Sequence, residues 1–164
     1  MVDACIRHES KAQRALYDML APMCMGVCLR YAGTVVVAED LLQEGFVKVF
    51  EKIATLRDPE KIRPWAYQIM VNVSVQYLRK KEMVVVAEGV EDVPVSVDFS
   101  PFAMEDIVLA IGQLPPTQRM VFNLCEVEGY NHDEVAQMMR CSNVSVRVNL
   151  CRAKKHLKEL LNNR

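Results

Sequence analysis

The sequence predicts an all-α protein of two small helical domains joined by a flexible linker. Between Glu39 and Ile53 apolar residues recur every three to four positions, the period of a helix that buries one face. Between Met83 and Met104 that period disappears, and two prolines and four acids stand among scattered valines. Past that stretch, a short capped helix and a tight turn precede a longer basic helix. Two periodic regions around one aperiodic region predict two lobes and a tether.

Each element has its own local cause. Residues 9–20 place Ala12, Leu16, Met19 and Leu20 on one stripe, and Pro22 and Gly33 bracket a second helix carrying Met25, Cys28, Leu29 and Tyr31. The next helix carries Leu41, Leu42, Phe46, Val49, Phe50 and Ile53, and Asp58-Pro59 breaks it. Pro64 suits the first turn of a helix running to Lys81, with Trp65, Ile69 and Leu78 apolar. A lone Trp at the start of an amphipathic helix reads as core. The valine clusters of 84–104 resemble a strand, but Pro94, Pro101 and the lack of a pairing partner predict an extended linker. Helices follow over about 104–111 and from Leu114-Pro115-Pro116 to about Glu126. Asn131 caps residues 132–139, and Glu134 completes an Asn version of the capping box. Arg140-Cys141-Ser142 makes a tight connection, and Ser142 caps a final helix to about Leu161.

Composition narrows the function classes. Of the 164 residues, 51% are apolar and 25% charged, which describes a globular protein rather than a disordered or fibrous one. No apolar run reaches the roughly 18 residues of a membrane span. Met1-Val2-Asp3-Ala4-Cys5 is no basic region followed by an apolar core, so no secretion signal is expected and the cytoplasm is the expected compartment. Six cysteines are then expected to be reduced. Cys24 and Cys28 lie one helical turn apart, and His8, His132 and His156 raise the question of a metal. No CxxC or HxxxC spacing supports one, so buried inert thiols are expected and neither metal nor cofactor is assigned. No Gly-rich phosphate loop and no Ser/His/Asp or His/Cys/Glu cluster argues for an enzyme or a small-molecule substrate.

Charge points to partners. Residues 1–83 hold twelve Lys/Arg against ten Asp/Glu, net +2. Residues 84–104 hold four acids (Glu88, Glu91, Asp92, Asp98) and no base. Residues 105–164 carry net +1, and Arg140, Arg147, Arg152, Lys154, Lys155 and Lys158 all fall within an acid-free run at 140–158. Two short helices with a tight turn, the second longer and basic, have the form of a DNA-binding helix-turn-helix. A solvated basic helix face is the alternative reading of the charges alone; the short capped helix before it favours DNA.

The segment LPPTQRMVFNLCEVEGYNHDEVAQMMRCSNVSVRVNLCRAKKHLKEL strongly resembles region 4 of the extracytoplasmic-function (ECF) sigma factors. The matching residues are Leu114-Pro115, Gln118-Arg119, Glu128-Gly129-Tyr130, Glu134-Val135-Ala136, Ser142, Val146, Leu150 and Arg152-Ala153. AEDLLQEGFVKVFEKI resembles region 2 of the same family, through Asp40, Gln43, Glu44 and Phe46. Trp65, Tyr67, Ile69 and Asn72, then Tyr77-Leu78-Arg79-Lys80-Lys81, fit the rest of that region. The resemblance implies region 2 over 1–83, an acidic linker over 84–104 and region 4 over 105–164.

It also implies roles. In the family the Asp40–Phe50 face docks on the β′ subunit of core RNA polymerase, with Asp40, Gln43 and Glu44 as rim contacts and Phe46 as a packing anchor. Asn72, Gln76, Arg79, Lys80 and Lys81 fall on the surface that melts and reads the −10 element, where amides bond bases and cations hold phosphates. Ser142, Asn143, Ser145, Arg147, Asn149, Arg152 and Lys154 fall on the −35 reader. The acidic linker would thread the polymerase cleft where nascent RNA will pass, its charge resembling RNA, and a solvated tether is the other reading; the β′ and β subunits of core polymerase are the expected partners. Family members are commonly held inactive by an anti-sigma factor, so one is an expected partner beside polymerase and promoter DNA.

The chain also departs from the family. Gln76 stands where an acid is frequent, which removes a repulsion near DNA. Val144-Ser145-Val146-Arg147-Val148-Asn149 replaces a Gly-Thr-Val-Lys-Ser-Arg-like run, so Val148 and Asn149 either contact a thymine methyl and an adenine edge or mark weakened binding. Val35-Val36-Val37 is apolar where the family is charged, fit either to pack on the linker or a partner or to stand exposed. Two other function classes compete, a stand-alone helix-turn-helix regulator and a sigma-like interaction protein.

Overall fold

Leu16, Leu20, Cys24, Val27, Cys28 and Tyr31 recur at the spacing of one helical stripe, and all are buried. That stripe runs through Pro22 unbroken. The computed structural model, which describes residues 1–81 and 96–162, has one helix over Ser10–Ala32 where two were expected. A helix-interior proline costs about 3 kcal/mol through a lost hydrogen bond and a ring clash. Pro22 is exposed, so the carbonyl it leaves without a donor can be hydrated. The apolar face on both sides of it outweighs the penalty. Gly33 ends the helix in the left-handed region, φ 80°.

The described residues form eight α-helices, in two units, Met1–Gln76 and Tyr77–Arg164. In the first unit a short helix α1 (Val2–Ile6), which the sequence reading missed, packs on α2 (Ser10–Ala32). Helix α3 (Val35–Lys52) lies along α2 and buries Ala38, Leu41, Leu42, Gly45, Phe46 and Val49. It begins four residues before the expected Glu39, because Thr34 Oγ1 accepts from Val37 N at 3.4 Å and caps a first turn with no amphipathic period. Val35 and Val36 therefore stand in solvent, 59% and 69% exposed. A turn capped by Asp58, whose Oδ1 accepts from Glu60 N at 3.0 Å, leads into α4 (Ile62–Lys81), whose residues from Tyr77 onward belong to the second unit. Trp65, expected in the core, is only half-buried.

In the second unit α5 (Met104–Gln113), α6 (Pro116–Phe122) and α7 (His132–Met139) all pack on α8 (Asn143–Asn162). Helix α6 continues into one π-helical turn, Asn123–Val127, where Glu128 N reaches Asn123 O at 2.9 Å. Gly129, φ 78°, then turns the chain toward α7. Residues 84–95 of the expected linker lie outside the described residues. Its last part is packed: Phe99 meets the Phe122 ring edge-on at 6.2 Å, and Val97, Pro101 and Phe102 line a cleft with Lys158 and Leu161. Among the described residues there is no strand, and no helix is long and apolar enough to cross a membrane.

Candidate nucleic-acid interface

Two helix starts set the geometry of the second unit. Asn131 Oδ1 accepts from Asp133 N at 3.0 Å and from Glu134 N at 2.9 Å, and Glu134 Oε2 accepts from Asn131 N at 2.8 Å, the reciprocal box the sequence predicted. Arg140 then turns the chain in the left-handed region, φ 54° and ψ 46°, a conformation that glycine usually supplies. Ser142 Oγ accepts from Ser145 N at 3.1 Å to cap α8. Asn143 Nδ2 donates to Asp133 Oδ1 at 2.7 Å, tying the start of α8 to the start of α7. This is a helix-turn-helix with α8 as its second helix.

Helix α8 divides cleanly. Ser145, Val146, Val148, Asn149, Leu150, Ala153, Leu157 and Leu161 are buried. Val144, Arg147, Lys155 and Lys158 are exposed, and half-buried Cys151 completes their three-and-four spacing. Two expected DNA contacts thereby change place. Ser145 is 1% exposed and Asn149 6%, with Asn149 Nδ2 donating to Ser145 O at 2.9 Å. Neither faces outward, and buried Val148 has no path to a thymine methyl. Lys154 pairs with Glu126 at 2.9 Å, so its cation is already engaged within the fold. Ser142 works as a cap, Asn143 as a tie, and Arg152 is half-buried. The outward stripe instead holds Val144, Lys155 and Lys158, which a helical wheel started at Arg147 would have found.

In the first unit Asp40, Gln43 and Glu44 lie exposed on α3, on one face with Val47, an apolar neighbour that the motif reading missed. Phe46 points the other way. Its ring centroid is 4.4 Å from Tyr17 and 6.0 Å from Phe50, and 4% of it is exposed, so it packs the core that carries the face. On α4, Gln68, Asn72, Gln76 and Lys80 are exposed at successive four-residue steps and Arg79 is half-buried; the Lys81 side chain lies outside the described residues. One link joins the two faces. Lys48 Nζ donates to Gln76 Oε1 at 3.3 Å and pairs with Glu44 Oε1 at 3.0 Å.

All six cysteines are free thiols. Burial pushes Cys24 up to about 11 and Cys28 up to about 12, with Cys24 beside it adding to the rise at Cys28. Such thiols stay protonated and inert.

Residues 16–83 match the family described as Sigma-70 region 2, and residues 104–157 match Sigma-70, region 4. The chain is 30% identical over 131 residues to the ECF RNA polymerase sigma factor SigM of Bacillus subtilis (strain 168), covering 76% of this chain and 80% of that protein. It is 29% identical to the RNA polymerase sigma factor CarQ of Myxococcus xanthus, covering 94% of each. In fold it resembles the sigma factor RpoE of Bartonella quintana, solved in complex with the anti-sigma factor NepR, with a TM-score of 0.52, 21% identity, and coverage of 93% and 98% of the two chains.

Proposed function

Because the chain belongs to the sigma-70 family, in its extracytoplasmic-function branch, we propose that it is a promoter-specificity subunit that binds core RNA polymerase and directs transcription initiation at a dedicated set of promoters. The observation that carries this is the pairing on one chain of a polymerase-docking type of helix with a helix-turn-helix, in the family's order. The polymerase supplies the chemistry; this chain supplies recognition and works in the cytoplasm, where core polymerase is. Asp40, Gln43, Glu44 and Val47 form the docking face for β′, with Phe46 holding it from beneath. Asn72, Gln76, Arg79 and Lys80 face the −10 element. Asn143, Val144, Arg147, Arg152, Lys155 and Lys158 face the −35 element. An anti-sigma factor is a further proposed partner; the RpoE chain of like fold was solved in complex with one.

Run-off transcription with core polymerase on genomic fragments, followed by mapping of the start sites, tests this directly. Replacing Asp40, Gln43 and Glu44 together with Ala should abolish core-polymerase pulldown while stability changes by less than about 1 kcal/mol, since all three are exposed. Unfolding of that variant would make the three residues structural. DNA binding without any dependence on polymerase would favour a stand-alone regulator.

A further inference from the structure

Gln76 stands exposed on α4, on the face read above as the −10 reader, and its amide oxygen has a specific partner. Lys48, on α3, sends Nζ to Gln76 Oε1 at 3.3 Å and is itself held by Glu44 at 3.0 Å. An ammonium group only donates hydrogen bonds, so it attracts the amide oxygen and repels the amide nitrogen. The two ends of a glutamine amide are therefore not interchangeable here: the oxygen is drawn back toward α3 and the NH2 group is left to face away.

We propose that Lys48 is a positioning residue for promoter reading. It fixes Gln76 with its NH2 outward, so that at the base which meets this side chain the protein favours a keto oxygen (guanine or thymine) over an amino group (adenine or cytosine). The chemistry follows from the base edges: guanine O6 and thymine O4 accept hydrogen bonds, whereas adenine N6 and cytosine N4 donate them. A donor held toward an amino group meets another donor, and the loss of water there is not made good. Glu44 completes the device by holding Lys48, so the pair turns an amide of either sense into one of fixed sense.

The inference rests on α4 as the −10-facing helix, and the experiment separates the two. Holoenzyme made with the full chain is assayed by run-off transcription on one mapped promoter, each −10 position carrying each of the four bases in turn. Wild type should prefer guanine or thymine at one position, by about threefold, the scale of one exposed charged contact. Gln76→Ala should erase that preference at that position alone. Lys48→Met should erase it too, with other positions unchanged, while Lys48→Arg should retain it. Gln76→Glu, which presents only acceptor atoms, should turn the preference toward adenine or cytosine and leaves Lys48 in place should the Lys48 variants lose core binding. If Gln76→Ala alters no position, α4 does not read the base through this side chain and the inference falls with that reading. If Gln76→Ala erases the preference but Lys48→Met keeps it, or Gln76→Glu fails to turn it, the reading stands and the positioning role is overturned.

Discussion

Cys24 and Cys28 sit on the buried stripe of α2, where a thiolate would have to be formed without water. Their folded pKa values of about 11 and about 12 lie above the value of 9.0 for a solvated thiol. A raised acid favours the folded state while it is protonated. That contribution is complete below about pH 9 and is lost as pH climbs through 11 to 12. Iodoacetamide at pH 8 should therefore leave both thiols unmodified in the native protein and label both in guanidinium; labelling of the native chain would show that α2 opens locally. On α8 the residue scale separates two arginines. Arg147 is exposed in the second turn, so Arg147→Ala should relax specificity at one base by about 1–3 kcal/mol on holoenzyme with promoter variants. Arg152, half-buried five residues on, should act on phosphate, and Arg152→Ala should weaken all sequences alike and reduce the salt slope by about one. Equal, sequence-independent losses would make Arg147 a second phosphate contact. The inward turn of Asn149 is legible in the amino-acid sequence alone. It falls three residues after Val146 and four before Ala153, inside their arc, and the polar chemistry of its amide masks that phase.

At the scale of elements, legibility follows how local the cause is. The bounds of α7 were readable to the residue because Asn131 and Glu134 complete their box within four positions. Pro22 is an equally local signal, yet it misleads, because the burial that overrides it comes from contacts with α3, which no short window contains. Glycines make the same point in a testable form. Gly26 lies within α2 with nothing within 4 Å of an added Cβ, whereas at Gly45 such an atom would lie 2.7 Å from Met70 Cε. Gly26→Ala should raise stability by about 0.5–1 kcal/mol through helix propensity. Gly45→Ala should lower it by about 1 kcal/mol, because Met70 must move for α3 and α4 to stay as close. Thermal melts of the two single variants decide it, and a gain at Gly45 would mean that Met70 yields freely.

For the whole molecule the net charge of −1 conceals opposed parts. Glu88, Glu91, Asp92 and Asp98 supply four of the chain's negative charges, and their replacement by amides shifts the net charge by four units. Such a variant should bind random-sequence duplex several-fold more tightly at low salt, with the difference vanishing as salt rises. Fluorescence anisotropy at increasing potassium chloride measures it; an unchanged affinity would show that these acids do not restrain stray DNA binding. The two-lobed plan itself was legible, since it needs only period and its interruption. The docking of Phe99 on Phe122 was not, because an aromatic residue in an aperiodic stretch carries no hint of the ring it will meet.

The tie between Asn143 and Asp133 has a consequence for how such a protein changes over generations. Polar bonds that hold the helix-turn-helix together include those of Asn131, Asp133, Glu134, Ser142 and Asn143, the bond from Asn149 to Ser145, and the pair of Glu126 with Lys154. Val144, Lys155 and Lys158 take part in none of them and stand in solvent. Drift at those three positions leaves the scaffold's own bonds in place. On the proposed assignment of that stripe to promoter DNA, a duplicated copy can wander toward new target genes along one face of α8 while the rest of the lobe remains under unchanged selection for folding.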